Sequence, residues 1–263
     1  MSEDPSVPSA AERLRQRAAA GAGENYQQTW LTPLSEPAVL CPEVSTAWSY
    51  LEATHDSVDS LFNVLSILLR AGSLWSEDGA HEAGDSRPVP EYGQDQLRAA
   101  IVFTSAGVDT CLKQLLRDAL PLVVNTNQEA GRRFRRYIGE QLDGSVSPFM
   151  RKAILDDDPK LRLIDLYVTE RTAASLQGRK ELMGVRATLG ITERAIPDDR
   201  ILRADSFFAA RNEIVHELDF LPADGPNIPP QRIRDWLEII EECDEILQLI
   251  TTFLICSNDY LRD

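Results

Sequence analysis

Three side chains close together in the sequence could do acid–base and phosphate chemistry: Arg211, Asn212 and His216, within Ser206-Phe-Phe-Ala-Ala-Arg211-Asn-Glu-Ile-Val-His216-Glu217. Imidazole is the side chain that exchanges a proton near neutral pH, and His216 is one of only three histidines. Arg211 is permanently cationic and presents a planar fork that matches two phosphate oxygens. Asn212 stands one helical turn before His216, where its amide can orient the imidazole or a bound substrate. At about 100° per residue, Asp205, Asn212 and His216 fall on one stripe of a helix, with Phe208 and Val215 beside it and Arg211 on its flank. Polar groups on a partly buried face need partners or a job. On residue types alone the plainer account is that Arg211 and Asn212 cap, bridge or pair with acidic neighbours and that His216 satisfies a buried carbonyl. Asp205 and Glu213 are the carboxylates placed to support the three side chains, or else are solvated charges.

The elements that must hold these residues read as helices. Pro42 suits a first helical position, and Val44, Trp48, Leu51, His55, Val58, Phe62, Leu65 and Leu69 form a core-facing stripe of a helix from Glu43 to Ala71. A lone His on such a stripe is expected to be a hydrogen-bonded core residue before it is a catalyst. Leu97, Ile101, Thr104, Val108, Cys111, Leu112 and Leu115 mark a second helix, Gln94 to Ala119. Short helices follow: Phe149 to Leu155 behind Ser147-Pro148, then Pro159 to about Ala174, then Arg179 to Leu189, with Gly178, Gly184, Gly190 and Pro197 as interruptions. Asp198 and Asp199 read as caps of the motif helix, which should run to about Leu218. A last helix, Gln231 to Ser257, shows Ile233, Trp236, Leu237, Ile240, Cys243, Ile246, Leu247, Ile250 and Leu254 on one face. No alternating strand of useful length is present, so the fold class is all-α. Residues 1–24 read as a flexible tail, with one short helix at Ala10 to Ala20, and residues 25–263 as a single domain with an insertion at about 144–199.

The chain carries 42 acidic and 27 basic residues over 263, a formal net charge of −15. That argues against a broad nucleic-acid-binding surface, because phosphate contacts need clustered Lys and Arg, so any RNA binding must be local. One dense basic run interrupts the acidity, Gly131-Arg132-Arg133-Phe134-Arg135-Arg136-Tyr137. Its arginines could contact RNA phosphates while Phe134 and Tyr137 stack a base. Alternatively the aromatics face the core and the arginines pair with the abundant Asp and Glu. Cys41, Cys111, Cys243 and Cys256 form no C-x-x-C pair and do not cluster with His55, His81 or His216, which indicates neither a zinc site nor a disulfide framework. His81 belongs to an acidic loop, Gly72 to Gly93, and is expected to be solvent-exposed and idle. No stretch approaches the ~18 consecutive apolar residues of a membrane span, and the N-terminus is acidic, so a soluble, cytoplasmic protein with no membrane partner is expected. There is no phosphate-cradling G-x-x-x-x-G-K-[ST], no G-x-G-x-x-G after a strand, no H-E-x-x-H and no G-x-S-x-G.

Arg211-Asn-Glu-Ile-Val-His216 resembles the R-x(4-6)-H signature of the HEPN superfamily, in which the first x is typically polar, as Asn212 is here. The phrase Ala99-Ala-Ile-Val-Phe-Thr-Ser-Ala-Gly-Val-Asp-Thr-Cys-Leu-Lys-Gln-Leu-Leu116 is more loosely similar to the first core helix of several HEPN families. The resemblance implies a four-helix-bundle core with additional short helices inserted. It also implies a metal-independent endoribonuclease, a toxin or antiviral effector, with Arg211, Asn212 and His216 as its catalytic set; Arg132, Arg133, Arg135 and Arg136 are then, from the basic run itself, the candidate RNA-binding residues. The implied partners are an RNA substrate, a second copy of the chain and an antitoxin or defence-system protein; no cofactor or metal is implied. The rival expectation is a catalytically silent HEPN-like dimer serving as a scaffold or regulatory partner. In the subfamily silenced by a nucleotidyltransferase antitoxin a Tyr follows two residues after the His; Leu218 stands there in this chain, which counts against regulation by nucleotide transfer at that position.

Overall fold

Cap residues open the helices of this chain. In the computed structural model, which describes residues 29–74, 89–222 and 228–262 (backbone only for 70–74), Asn127 accepts from the backbone N–H groups of Glu129 and Ala130. Ser147 and Asp158 do the same one residue before Pro148 and Pro159, so a side-chain acceptor and a preset φ act together at each start. In chain order the helices are α1 (Pro42–Leu74), α2 (Glu91–Thr126), α3 (Gln128–Leu142), α4 (Pro148–Ile154), α5 (Pro159–Ala173), α6 (Arg179–Thr188), α7 (Asp198–Leu202), α8 (Ala204–Glu217) and α9 (Trp236–Arg262). The fold is all-α; among the described residues the sole β pairing is an isolated antiparallel bridge between Phe220 and Gln231. The expected tail with its Ala10 to Ala20 helix and the His81 loop lie outside the described residues. No helix is long and apolar enough to cross a membrane, among the described residues.

The chain divides into two compact units, each drawn from three stretches of sequence. One takes in the described residues of 29–33, 54–105 and 206–247, so it holds segments of α1, α2 and α9 and nearly all of α8. Its core is built from the apolar stripes: Val58, Phe62, Leu65, Leu97, Ile101, Phe207, Phe208, Ile239, Ile240 and Cys243 are buried. Each large side chain removed from water in this way contributes about 1.5–3 kcal/mol. Trp236 meets Trp30 edge-on with centroids 4.8 Å apart and Phe62 at 6.0 Å. The segment around Trp30 is strapped down by carboxylates. Asp59 Oδ1 accepts from the Trp30 and Leu31 amides at 2.6 and 3.1 Å, and Asp244 accepts from the Thr32 amide and hydroxyl, both at 2.7 Å. His55 Nε2 donates to the Thr32 carbonyl at 3.0 Å, which makes it a hydrogen-bonded core histidine.

The other unit takes in 34–53, 106–205 and 248–263. Trp48, Leu51, Cys111, Leu112, Leu115, Phe253 and Leu254 are buried in it. In it α4 packs on α5, α6 on α7, and α3 on both α5 and α6. The expected insertion at 144–199 falls wholly within this unit. Gly190, with φ +70°, ends α6, and a Cβ there would collide with the Asn127 side chain that caps α3, so this position requires glycine.

Four boundaries differ from the sequence reading. The second helix does not end at Ala119: α2 runs on to Thr126 with Pro121 inside it, because Leu120, Val123 and Val124 are buried and their packing offsets the missing hydrogen bond. Asp198 and Asp199 do not cap the motif helix; they occupy the first turn of the separate α7. Gly184 lies inside α6 and interrupts nothing. The last helix starts at Trp236, not at Gln231, because the Asp235 carboxylate accepts from the Leu237 and Glu238 amides at 2.9 and 3.0 Å and fixes the start there. Ile233, expected on the core face, is exposed as a result.

Candidate functional site

α8 carries all three motif residues and is held by one arc of its surface. Ala204, Phe207, Phe208, Ala210 and Ile214 are buried, while Asp205, Ala209, Asn212 and His216 lie on the opposite, exposed arc. The stripe of polar residues expected on a partly buried face therefore points outward, and Val215 beside it is exposed too. Arg211 is half-buried at the margin between the arcs, and its Nη1 donates to Asn212 Oδ1 at 3.0 Å. Arg211 makes no ion pair with a described residue, and His216 makes neither hydrogen bond nor ion pair with one. Of the plainer account, the buried carbonyl for His216 and the acidic partner for Arg211 are absent among the described residues, while the Arg211–Asn212 bond is a local bridge of the kind it allows.

The two supporting carboxylates go elsewhere. Asp205 pairs with Arg179 at 3.6 Å across half-exposed side chains. Glu213, the neighbour of Asn212, takes Arg232 Nε at 3.2 Å and Arg234 Nη2 at 3.2 Å. Sequence reasoning missed the cluster to which it belongs. Asp219, with its side chain fully buried, accepts from Arg234 Nη2 at 2.6 Å and from Arg98 Nε at 3.0 Å, and Arg98 also meets Asp95 at 2.9 Å. One local signal was available. Arg232, Ile233 and Arg234 alternate with a period of two, which places both arginines on one side of an extended segment, and Asp235-x-x-Glu238 has the spacing of a capping box.

The basic run behaves as its packing alternative described, in part. Phe134 and Tyr137 are buried, with ring centroids 5.5 and 4.8 Å from Tyr167, so neither is free to stack a base. Burial, followed by the Glu170 carboxylate, pushes the Tyr137 phenol up to about 12. Arg132 and Arg133 pair with Glu129 at 2.6 and 3.1 Å, and Arg136 with Glu140 at 3.4 Å, all within α3. Arg135 is exposed and makes no ion pair with a described residue. The Arg132 hydrogen bond holds the Glu129 carboxyl below its usual range.

The four thiols are free. Burial pushes Cys243 up to about 12 and Cys111 well above the ordinary thiol range, so both are protonated and unreactive at neutral pH. No group of three His, Cys, Asp or Glu side chains among the described residues is placed to hold a metal ion. Comparisons with protein-family models, curated proteins and solved structures return no match to this chain.

Proposed function

We propose that the protein is a metal-independent endoribonuclease of HEPN type, acting in the cytoplasm as a toxin or phage-defence effector. One observation carries this reading. In a chain of net charge −15, Arg98, Arg232 and Arg234 are each paired with carboxylates, yet among the described residues Arg211 on the same unit bonds through its side chain only to Asn212, and the exposed His216, one turn after Asn212, bonds through its side chain to none. A guanidinium without a carboxylate partner and an exposed imidazole on one helix are equipment for phosphate chemistry without a metal. The substrate's own 2′-hydroxyl attacks the adjacent phosphorus, forming the P–O2′ bond and breaking the P–O5′ bond. A base takes the 2′ proton, an acid protonates the departing 5′ oxygen, and a cation stabilises the crowded phosphorane. His216 moves the proton, and the Arg211 fork holds two phosphate oxygens.

One motif offers one imidazole, whereas the reaction needs a base and an acid. A homodimer in which two α8 helices meet doubles the set without new sequence. The exposed apolar residues Val215, Leu218 and Ile233, at 42%, 64% and 69% exposure, support burial of this end of α8 against a second copy. Arg132, Arg133, Arg135 and Arg136 provide a local site for RNA phosphates on an otherwise acidic protein.

The test is to incubate purified protein, wild type and His216→Ala, with total RNA in EDTA and map the new ends. Expected products are 2′,3′-cyclic phosphate and 5′-hydroxyl ends from the wild type alone. Cleavage that survives His216→Ala, or that requires Mg²⁺, overturns the mechanism. A stable dimer that cuts no RNA and is unchanged by Arg211→Ala selects the scaffold reading instead.

A further inference from the structure

Leu218 and Asp219 leave α8 with φ of 52° and 62°. This left-handed conformation is unfavourable for residues with a side chain, and at most helix ends it is given to glycine. It persists where the surroundings over-determine it, and here those surroundings are a closed set of charges. Asp219 takes Arg234 Nε and Nη2 on its two oxygens at 2.9 and 2.6 Å, and Arg98 Nε at 3.0 Å. Glu213 takes the same Arg234 Nη2 and also Arg232. Three guanidiniums thus face three carboxylates, Asp95 being the third, with no net charge left over.

The main chain is gripped as well. Gln94 holds Arg234 from both sides, its Oε1 accepting from the Arg234 amide at 2.9 Å and its Nε2 donating to the Arg234 carbonyl at 3.1 Å. The Asp219 amide donates back to the Glu213 carbonyl at 3.1 Å, the Asp219 carbonyl accepts from the Arg232 amide at 2.8 Å, and Gln231 Nε2 donates to the Leu218 carbonyl at 2.8 Å. His216 lies between Glu213 and Asp219 in sequence and has no bond of its own to a described residue. It stands in the turn that those two carboxylates flank.

We infer that Asp219, together with Glu213, is a positioning residue, whose charge cluster fixes the last turn of α8 and through it the His216 imidazole. The mechanical part stands on the geometry alone; the consequence for catalysis rests on the ribonuclease reading. Removing the Asp219 charge leaves the buried Arg98 and Arg234 guanidiniums with only Asp95 and Glu213, both more exposed, as carboxylate partners, so three cations then face two anions and the turn loosens to let them reach water.

The experiment compares wild type, Asp219→Asn and Glu213→Gln in the full chain by three readouts: amide exchange at 213–218, the imidazole NMR signal of His216, and RNA cleavage. With three histidines in the chain, the His216 signal is assigned by its disappearance in His216→Ala. Asp219→Asn is expected to speed exchange at 213–218 by about ten-fold or more relative to α1, to move or broaden the His216 signal, and to lower kcat about ten-fold with KM nearly unchanged. Glu213→Gln, which keeps an acceptor oxygen without the charge, is expected to move all three the same way by less. Exchange and the His216 signal both unmoved in the variants overturn the inference, whatever kcat does. If Asp219→Asn does not fold, Glu213→Gln decides by the same two signals. If the wild type cuts no RNA, the proposed function falls, while exchange and the imidazole signal still decide the positioning role.

Discussion

Arg211 Nη1 donates to Asn212 Oδ1 at 3.0 Å, and no carboxylate among the described residues competes for that guanidinium. The bond ties the fork to a side chain on the exposed arc, and under the proposed function the asparagine would orient it. Under the proposed ribonuclease function, Arg211→Ala and His216→Ala are each expected to lower the RNA cleavage rate by about a hundred-fold or more, and Asn212→Ala by about ten-fold, since the last removes orientation and leaves the charge. Because Asn212 and His216 are exposed, their variants are expected to keep stability within about 0.5 kcal/mol of wild type, measured by urea melts. A loss of activity that tracks loss of fold would assign these residues to packing.

Leu218 pays for its left-handed backbone with little in return, because its side chain is 64% exposed. Glycine adopts φ near +52° without the Cβ clash, although its greater freedom in the unfolded chain offsets part of that gain. Leu218→Gly is therefore expected to raise stability by about 0.5–1 kcal/mol, seen as a rise of a few degrees in Tm. The Asp219 cluster is untouched by this change, so His216 should give the same imidazole signal. A destabilised Leu218→Gly would mean that the leucine side chain packs against something the isolated chain lacks, such as a second copy.

The helices were legible because their signals are local. Ser147-Pro148 and Pro159 mark starts to within a residue, and the stripe from Val44 to Leu65 marks the buried side of α1. Periodicity also grouped Asp205, Asn212 and His216 on one stripe, but it cannot say whether that stripe faces the core; the buried arc of α8 is its other side, carrying Phe207 and Ile214. The Asp219 cluster was illegible for a different reason. Arg98 and Arg232 are 134 positions apart, and nothing in the sequence near Arg98 announces that it donates to the Arg232 carbonyl. Long-range charge pairs follow from how helices pack, and that information is not stored in any window of residues. The start of α9 was misplaced because Ile233 fits a helical period, whereas the Asp235 cap overrides it.

Glu242 gives the protein a pH signature. Burial, the largest cause, raises its pKa above the usual carboxylate range, Glu238 and Glu245 add to the rise, and Ser206 and Arg234 oppose it. A carboxyl whose folded pKa exceeds its unfolded value binds its proton more tightly when folded. Its contribution is therefore fully present below the unfolded pKa, near ~4.3, and is lost as pH rises through the folded value. Glu242→Gln is expected to raise Tm at pH 7 by about one to two degrees, a modest figure because the partly exposed group is screened, and to give no gain near pH 4. Tm measured from pH 4 to 8 for both proteins checks this; a gain that persists unchanged at pH 4 would assign it to packing.

The arginines of α3 separate RNA binding from stability. Their ion pairs with Glu129 and Glu140 are exposed and within one helix, a class of interaction worth a few tenths of a kcal/mol each. The hold of α3 on its unit comes instead from Phe134 and Tyr137 against Tyr167. Replacing Arg132, Arg133, Arg135 and Arg136 with Gln is therefore expected to leave Tm within a few degrees of wild type. If these side chains meet RNA phosphates, the same variant should bind RNA more weakly and with a flatter salt dependence, the slope of log K against log salt falling by roughly 0.7 for each single-strand phosphate that is no longer neutralised. Meeting those phosphates must draw Arg132 and Arg133 away from Glu129, so Glu129→Gln is expected to strengthen RNA binding. Arg135, which has no carboxylate partner among the described residues, is expected to matter most as a single substitution. Binding titrations at three salt concentrations decide it: an unchanged slope in the four-residue variant removes this helix from the RNA path.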